Sequence, residues 1–132
     1  MCGFVGFTGD VENKEQVLTS MIHRGPDMGD TFFAPGVALG FRRLSILDLT
    51  PAGSQPMSNE DGSVVIVFNG EIYNFMELRG ELEAKGYTFH CGADTESLLH
   101  GYEEWGEEIV DKLRGMYAFV IWDKKKNRLF GA

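Results

Sequence analysis

The run Ser63-Val64-Val65-Ile66-Val67-Phe68 is apolar and β-branched almost without interruption. A half-exposed strand alternates apolar and polar residues, so a strand with no polar face must be covered above and below. The fold therefore has to be layered around this strand. Asn69-Gly70-Glu71-Ile72-Tyr73-Asn74 follows directly, which puts polar groups at the end of a core strand.

The remaining patterns supply the layers. Cys2 to Thr8 is apolar, glycine-spaced and β-prone, and reads as a short buried strand. Val17, Leu18, Met21 and Ile22 recur at helical spacing from about Lys14 to His23. His23 to Asp30 is a structured loop. Thr31-Phe32-Phe33 and Val37 to Leu49 read as strands joined at Pro35-Gly36, with Arg42 and Arg43 on opposite faces of the second. Thr50 to Glu60 is a polar loop. Asn74 and Glu77 form a capping-box-like start to a helix reaching about Lys85. Tyr87 to Cys91 is strand-like. Asp94, at an N-cap position, opens a helix to about Trp105, and a short helix covers Glu107 to Leu113. Met116 to Trp122 and Arg128 to Gly131 form a hairpin across Lys124-Lys125-Lys126. With no repeat or linker, the chain reads as one α+β or layered α/β domain over residues 1–132.

A net charge of −8 argues against a sequence-independent grip on nucleic acid or on an anionic membrane surface. No apolar run approaches the roughly 18 residues that cross a bilayer. Cys2 and Cys91 have no C-x-x-C spacing and no secretory leader precedes them, so a reducing cytoplasm is the expected compartment. His23, His90 and His100 show no metal-type spacing, and no metal is expected. A G-x-x-x-x-G-K-[ST] phosphate loop is also missing.

Cys2 is the candidate nucleophile. Taken alone it is a small apolar residue on a buried strand. Removal of Met1 changes its chemistry, because the thiol then shares a residue with a free α-amine. That amine titrates near 7.7–8, low enough to accept a thiol proton at neutral pH. A retained Met1 would lock the same nitrogen in a peptide bond.

Met1-Cys2-Gly3, His23-Arg24-Gly25-Pro26-Asp27, Arg43-Leu44-Ser45-Ile46, Asn69-Gly70-Glu71-Ile72-Tyr73-Asn74 and Ala93-Asp94-Thr95-Glu96 occur in this order along the chain. Together they resemble the glutamine-hydrolysing domain of the asparagine synthetase family, an N-terminal-nucleophile amidotransferase. The resemblance implies a four-layer αββα sandwich and hydrolysis of glutamine to glutamate and ammonia. It gives Cys2 the role of nucleophile. The Asn69 side-chain amide and the Gly70 N–H take the oxyanion, Arg43 the glutamine α-carboxylate and Asp94 the α-ammonium. Glu71 and the backbone of Leu44, Ser45, Ile46 and Leu47 line the pocket, and the Arg24 to Asp27 loop is similar to a segment that closes over glutamine. Arg42, on the other face, should matter far less.

The family's domain continues for several strands past Ala132, so the resemblance also implies a C-terminally incomplete fold. The synthetase domain that receives ammonia, with its ATP and magnesium, is expected to be missing, and no cofactor is expected here. An open sheet edge would bring either self-association as a homo-oligomer or low stability. Two other readings stay open: a catalytically silent glutamine-binding or assembly fragment, and the glutaminase domain of another amidotransferase.

Overall fold

The computed structural model describes residues 2–9, 12–44 and 51–132. Met1, Ser45, Ile46 and Leu47 lie outside the described residues, as does the far end of the strand expected to run to Leu49.

Among the described residues there are two antiparallel sheets. In the first, β1 (Gly3–Thr8) and β2 (Met28–Ala34) flank β3 (Val37–Arg43), giving the order β1-β3-β2. In the second, β4 (Met57–Ser58), β5 (Val64–Ile72), β6 (Gly115–Asp123) and β7 (Arg128–Gly131) lie in sequence order. The sheets face each other across one apolar layer, to which Val37, Leu39 and Phe41 of β3, Val65 and Val67 of β5, and Trp122 of β6 contribute. The alternate residues of β5, Val64, Ile66, Phe68 and Ile72, point the other way, into a second core. There they meet Leu78 of α2 (Phe75–Ala84) and Leu98, Leu99 and Tyr102 of α3 (Asp94–Trp105). The lack of a polar face on β5 thus has a direct cause: a sheet covers one side and helices the other. Each fully buried Ile, Leu, Val or Phe of this kind contributes about 1.5–3 kcal/mol.

The outer face of the first sheet carries α1 (Lys14–Ser20), and Gly40 of β3 lets Leu18 come close. Helix, sheet, sheet and helices make four layers. The helix expected to reach His23 ends at Ser20, and a 3-10 turn, Ile22–Arg24, continues the chain. The short helix α4 (Ile109–Lys112) follows a 3-10 turn at Gly106–Glu108.

Two local expectations fail for identifiable reasons. The Asn74 side chain does not cap α2: its Nδ2 donates to the Lys112 carbonyl and its Oδ1 accepts from the Arg114 N–H, both at 2.9 Å, clipping the α4–β6 connection onto the α2 start. Tyr87 to Cys91 runs as irregular chain. The His90 and Cys91 N–H groups donate at 2.9 Å to the Glu96 carboxylate, which serves in place of a neighbouring strand.

Candidate active site

Residues of one parity fill the layer between the sheets, and the polar site arises where those rows run out. On β3 the inward row Val37, Leu39, Phe41 ends in Arg43. On β5 the row Val65, Val67 ends in Asn69 and Glu71. Cys2 packs against the same layer from the β1 edge. The apolar filling stops and a cavity of about 540 Å³ opens, lined by Cys2, Arg43, Leu44, Asn69, Gly70, Glu71 and Asp94 among others. Cys2, Arg43, Leu44, Asn69, Gly70, Glu71 and Asp94, named from the sequence resemblance as reacting or pocket-lining residues, thus line one space. Ser45, Ile46 and Leu47 lie outside the described residues.

Cys2 is partly buried at the cavity wall. Its Sγ accepts from the Leu44 N–H at 3.3 Å and lies 3.4 Å from the Leu44 carbonyl oxygen, which fixes the sulfur against the end of β3. Arg43 is 6% exposed although it is charged. Arg42 lies on the other face, where its Nε donates to the Gly25 carbonyl at 3.0 Å. The Arg24 to Asp27 segment therefore packs on β3: Gly25 presses against the Arg42–Arg43 backbone, and the Asp27 N–H donates to the Arg43 carbonyl at 3.2 Å. None of these loop residues lines the cavity.

One edge of β5 shows how Gly70 is set apart. Alternate amides of a strand point to the same side. On the β4 side the Val64 N–H donates to Asn59 Oδ1, the Phe68 N–H to Gln55 Oε1 and the Ile72 N–H to Asp94 Oδ2. The Gly70 N–H falls in this row between two amides held by side chains, beyond the end of β4 and at the cavity. Its φ of 146° and the Met116 carbonyl oxygen, which a Cβ would overlap, restrict the position to glycine.

Asp94 is 5% exposed at the start of α3. Burial pushes its carboxyl pKa up; the Ile72 N–H opposes this, while the nearby Glu71 charge adds to it. The result is a buried acceptor, oriented by the backbone N–H groups of Ile72, Thr95 and Asp94 itself, with a raised proton affinity.

Gln55 and Thr95 also line the cavity, and sequence reasoning did not single them out. Gln55 Nε2 donates to Thr95 Oγ1 at 3.3 Å while its oxygen holds Phe68, so one side chain joins the polar loop, α3 and β5. Its only sequence signal was its place in a loop rich in Pro, Ser and Gly.

Two sheets packed face to face, helices on both outer faces, and a cysteine immediately before the first strand at the mouth of the inter-sheet layer define the N-terminal-nucleophile hydrolase architecture. A solved structure titled glutamine phosphoribosylpyrophosphate amidotransferase from B. subtilis, complexed with ADP and GMP, has this fold. It superposes with a TM-score of 0.74 at 22% identity, covering 94% of this chain and 35% of that one. The chain belongs to the glutamine amidotransferase domain family, whose profile matches residues 1–132. It is 52% identical over 141 residues to asparagine synthetase [glutamine-hydrolyzing] 1 of Bacillus subtilis, covering 100% of this chain and 22% of the relative. It is 40% identical over 139 residues to asparagine synthetase [glutamine-hydrolyzing] 3 of Arabidopsis thaliana, covering 100% of this chain and 24% of that protein. The chain thus spans about a quarter or less of the length of these relatives. Among the described residues no helix is long and apolar enough to cross a membrane.

Proposed function

We propose that this domain hydrolyses the side-chain amide of glutamine through Cys2, and that the ammonia is destined for amidation of aspartate by a synthetase domain like that of its relatives. The observation that carries the reading is the single cavity shared by Cys2, Asn69, Gly70, Arg43 and Asp94.

In this reading Met1 is removed and the freed amine takes the Cys2 thiol proton. The thiolate attacks the carboxamide carbon, and the carbonyl oxygen gains the negative charge. The Asn69 side-chain amide and the Gly70 N–H receive that oxyanion; the Gly70 amide is aligned by the ladder on either side of it and needs no rearrangement. Collapse of the intermediate breaks the C–N bond. The ammonium on Cys2 returns its proton to the leaving nitrogen, ammonia departs, and a thioester stays on Sγ. Water then adds to the thioester carbon, losing a proton to the same amine, and glutamate leaves with the thiol restored.

At the other end of the substrate, the Arg43 guanidinium offers two parallel donors to the α-carboxylate. The Asp94 carboxylate accepts from the α-ammonium, whose charge offsets the cost of keeping this buried group ionised. Glu71 and Leu44 line the space between. ATP and magnesium belong to the synthetase half in this scheme, and this domain uses neither.

Intact mass after exposure to a glutamine-like electrophile tests the reading. A single adduct on Met1-processed chain, blocked by glutamine and lost in Cys2→Ser, supports it. A processed chain that forms no adduct, or forms one insensitive to glutamine, contradicts it.

A further inference from the structure

Gln55 makes two side-chain hydrogen bonds, and they lead to opposite ends of the site. Its place follows from strand register: β4 pairs Met57 with Ile66 and Ser58 with Val65, and the same register carried two residues further sets Gln55 opposite Phe68. There the side chain takes over from the backbone, and Gln55 Oε1 accepts from the Phe68 N–H. A backbone N–H can only donate, so the amide oxygen is the atom that faces β5, and Nε2 is left to donate to Thr95 Oγ1 at 3.3 Å. Gln55 and Thr95 are 7% and 2% exposed, and both line the cavity.

These bonds close a circuit. From Gln55 it enters β5 through the Phe68 N–H, follows the strand to Ile72, crosses to Asp94 Oδ2 at 2.9 Å, and returns through Thr95, the next residue of α3. Asn69 and Gly70 lie on the stretch of β5 inside the circuit. Phe68 and Ile72 are four residues apart, about 13 Å along a strand. The apolar packing of β5 on α3 opposes their separation, but it is non-directional and does not by itself fix the angle between them. One polar tether at Ile72 would leave a pivot. The second, at Phe68, removes it.

We propose that, within the glutaminase reading on which this role rests, Gln55 is a positioning residue that sets the oxyanion donors of β5 against the Asp94 carboxylate of α3. In that reading the two groups hold opposite ends of one substrate, the carboxamide oxygen and the α-ammonium. Their separation therefore decides where the carboxamide carbon stands relative to Cys2 Sγ, and a displacement of about 1 Å at reacting atoms can cost about 10²-fold in rate. Each arm of Gln55 has its own kinetic signature. The Phe68 arm stands just before Asn69 and Gly70 on β5, so it bears on a charge that exists only in the transition state, and hence on kcat. The Thr95 arm stands beside Asp94, so it bears on the α-ammonium, which is bound equally before and during reaction, and hence on KM.

Steady-state glutamine hydrolysis by the Met1-processed chain and its variants provides the test, with the folded fraction of each read from urea denaturation. Gln55→Met, similar in length and without either amide atom, cuts both arms; kcat should fall about 10–100-fold and KM should rise. Thr95→Val cuts the α3 arm alone and keeps the side-chain shape, so KM should rise about 3–10-fold with kcat little changed. Thr95→Ser keeps the hydroxyl and should recover most of that loss. A Gln55 that serves only the fold would lower kcat in step with the folded fraction and leave KM alone. An active parent whose Gln55→Met variant matches it, or departs from it only by the folded fraction, overturns the role and leaves the glutaminase reading standing. A folded, processed parent that releases no glutamate overturns that reading and the role with it.

Discussion

The Ile72 N–H donates to Asp94 Oδ2 at 2.9 Å, tying the last residue of β5 to the first of α3 through a carboxylate on the cavity wall. One side chain therefore finishes a strand edge and, in the proposed reading, also meets the substrate ammonium in the cavity. The two roles separate in the Asp94→Asn variant, which keeps an acceptor for Ile72 and loses the charge.

For Asp94→Asn, the KM for glutamine should rise about tenfold or more, the scale of a lost hydrogen bond between charged groups. Stability should move the other way. Burial raises the Asp94 pKa, so the folded chain holds this proton more tightly than the unfolded chain. The group's contribution to stability therefore falls as pH rises from the ordinary aspartate value through the raised folded value. Urea midpoints across that range should show the variant gaining on the parent as pH increases. A variant that loses ground with rising pH would contradict the assignment.

Gly70 and Asn69 are adjacent but should fail differently. Gly70→Ala forces a Cβ onto the Met116 carbonyl at a φ of 146°, and should cost roughly 1–3 kcal/mol of stability along with activity. Asn69→Ala should leave the urea midpoint nearly unchanged while kcat falls about 10²–10³-fold, the cost of one oxyanion donor. Equal loss of stability in both variants would argue that Asn69 serves the fold.

Arg42 and Arg43 form an internal comparison on one strand. Arg43→Lys keeps the charge and loses the planar fork, so KM should rise with kcat little changed. Arg42→Lys breaks the contact to the Gly25 carbonyl, so about 0.5–1.5 kcal/mol of stability should be lost with KM unaltered. Steady-state kinetics and denaturation of the pair read both effects.

The layered fold was legible because β5 carries its evidence locally: a strand covered on both faces has to be apolar throughout. Strand alternation likewise separated Arg42 from Arg43. Long-range side-chain work was not legible. Glu96 takes the amides of His90 and Cys91 and so replaces a strand that composition suggested, while Asn74 reaches Lys112 and Arg114 when its local pattern offered a helix cap. Gln55 has no sequence period at all, because it acts by meeting Phe68 and Thr95 across the fold. Around the cavity, the sequence resemblance indicated Cys2, Asn69, Gly70 and Asp94. It did not show that the apolar rows of β3 and β5 end together in polar residues.

The most direct measurement is glutamate release from glutamine by the Met1-processed chain beside its Cys2→Ala variant, with processing confirmed by mass. The account predicts turnover in the processed chain and none above background in the variant. Equal glutamate release by both proteins, or none from a folded chain with a free Cys2 amine, would contradict it.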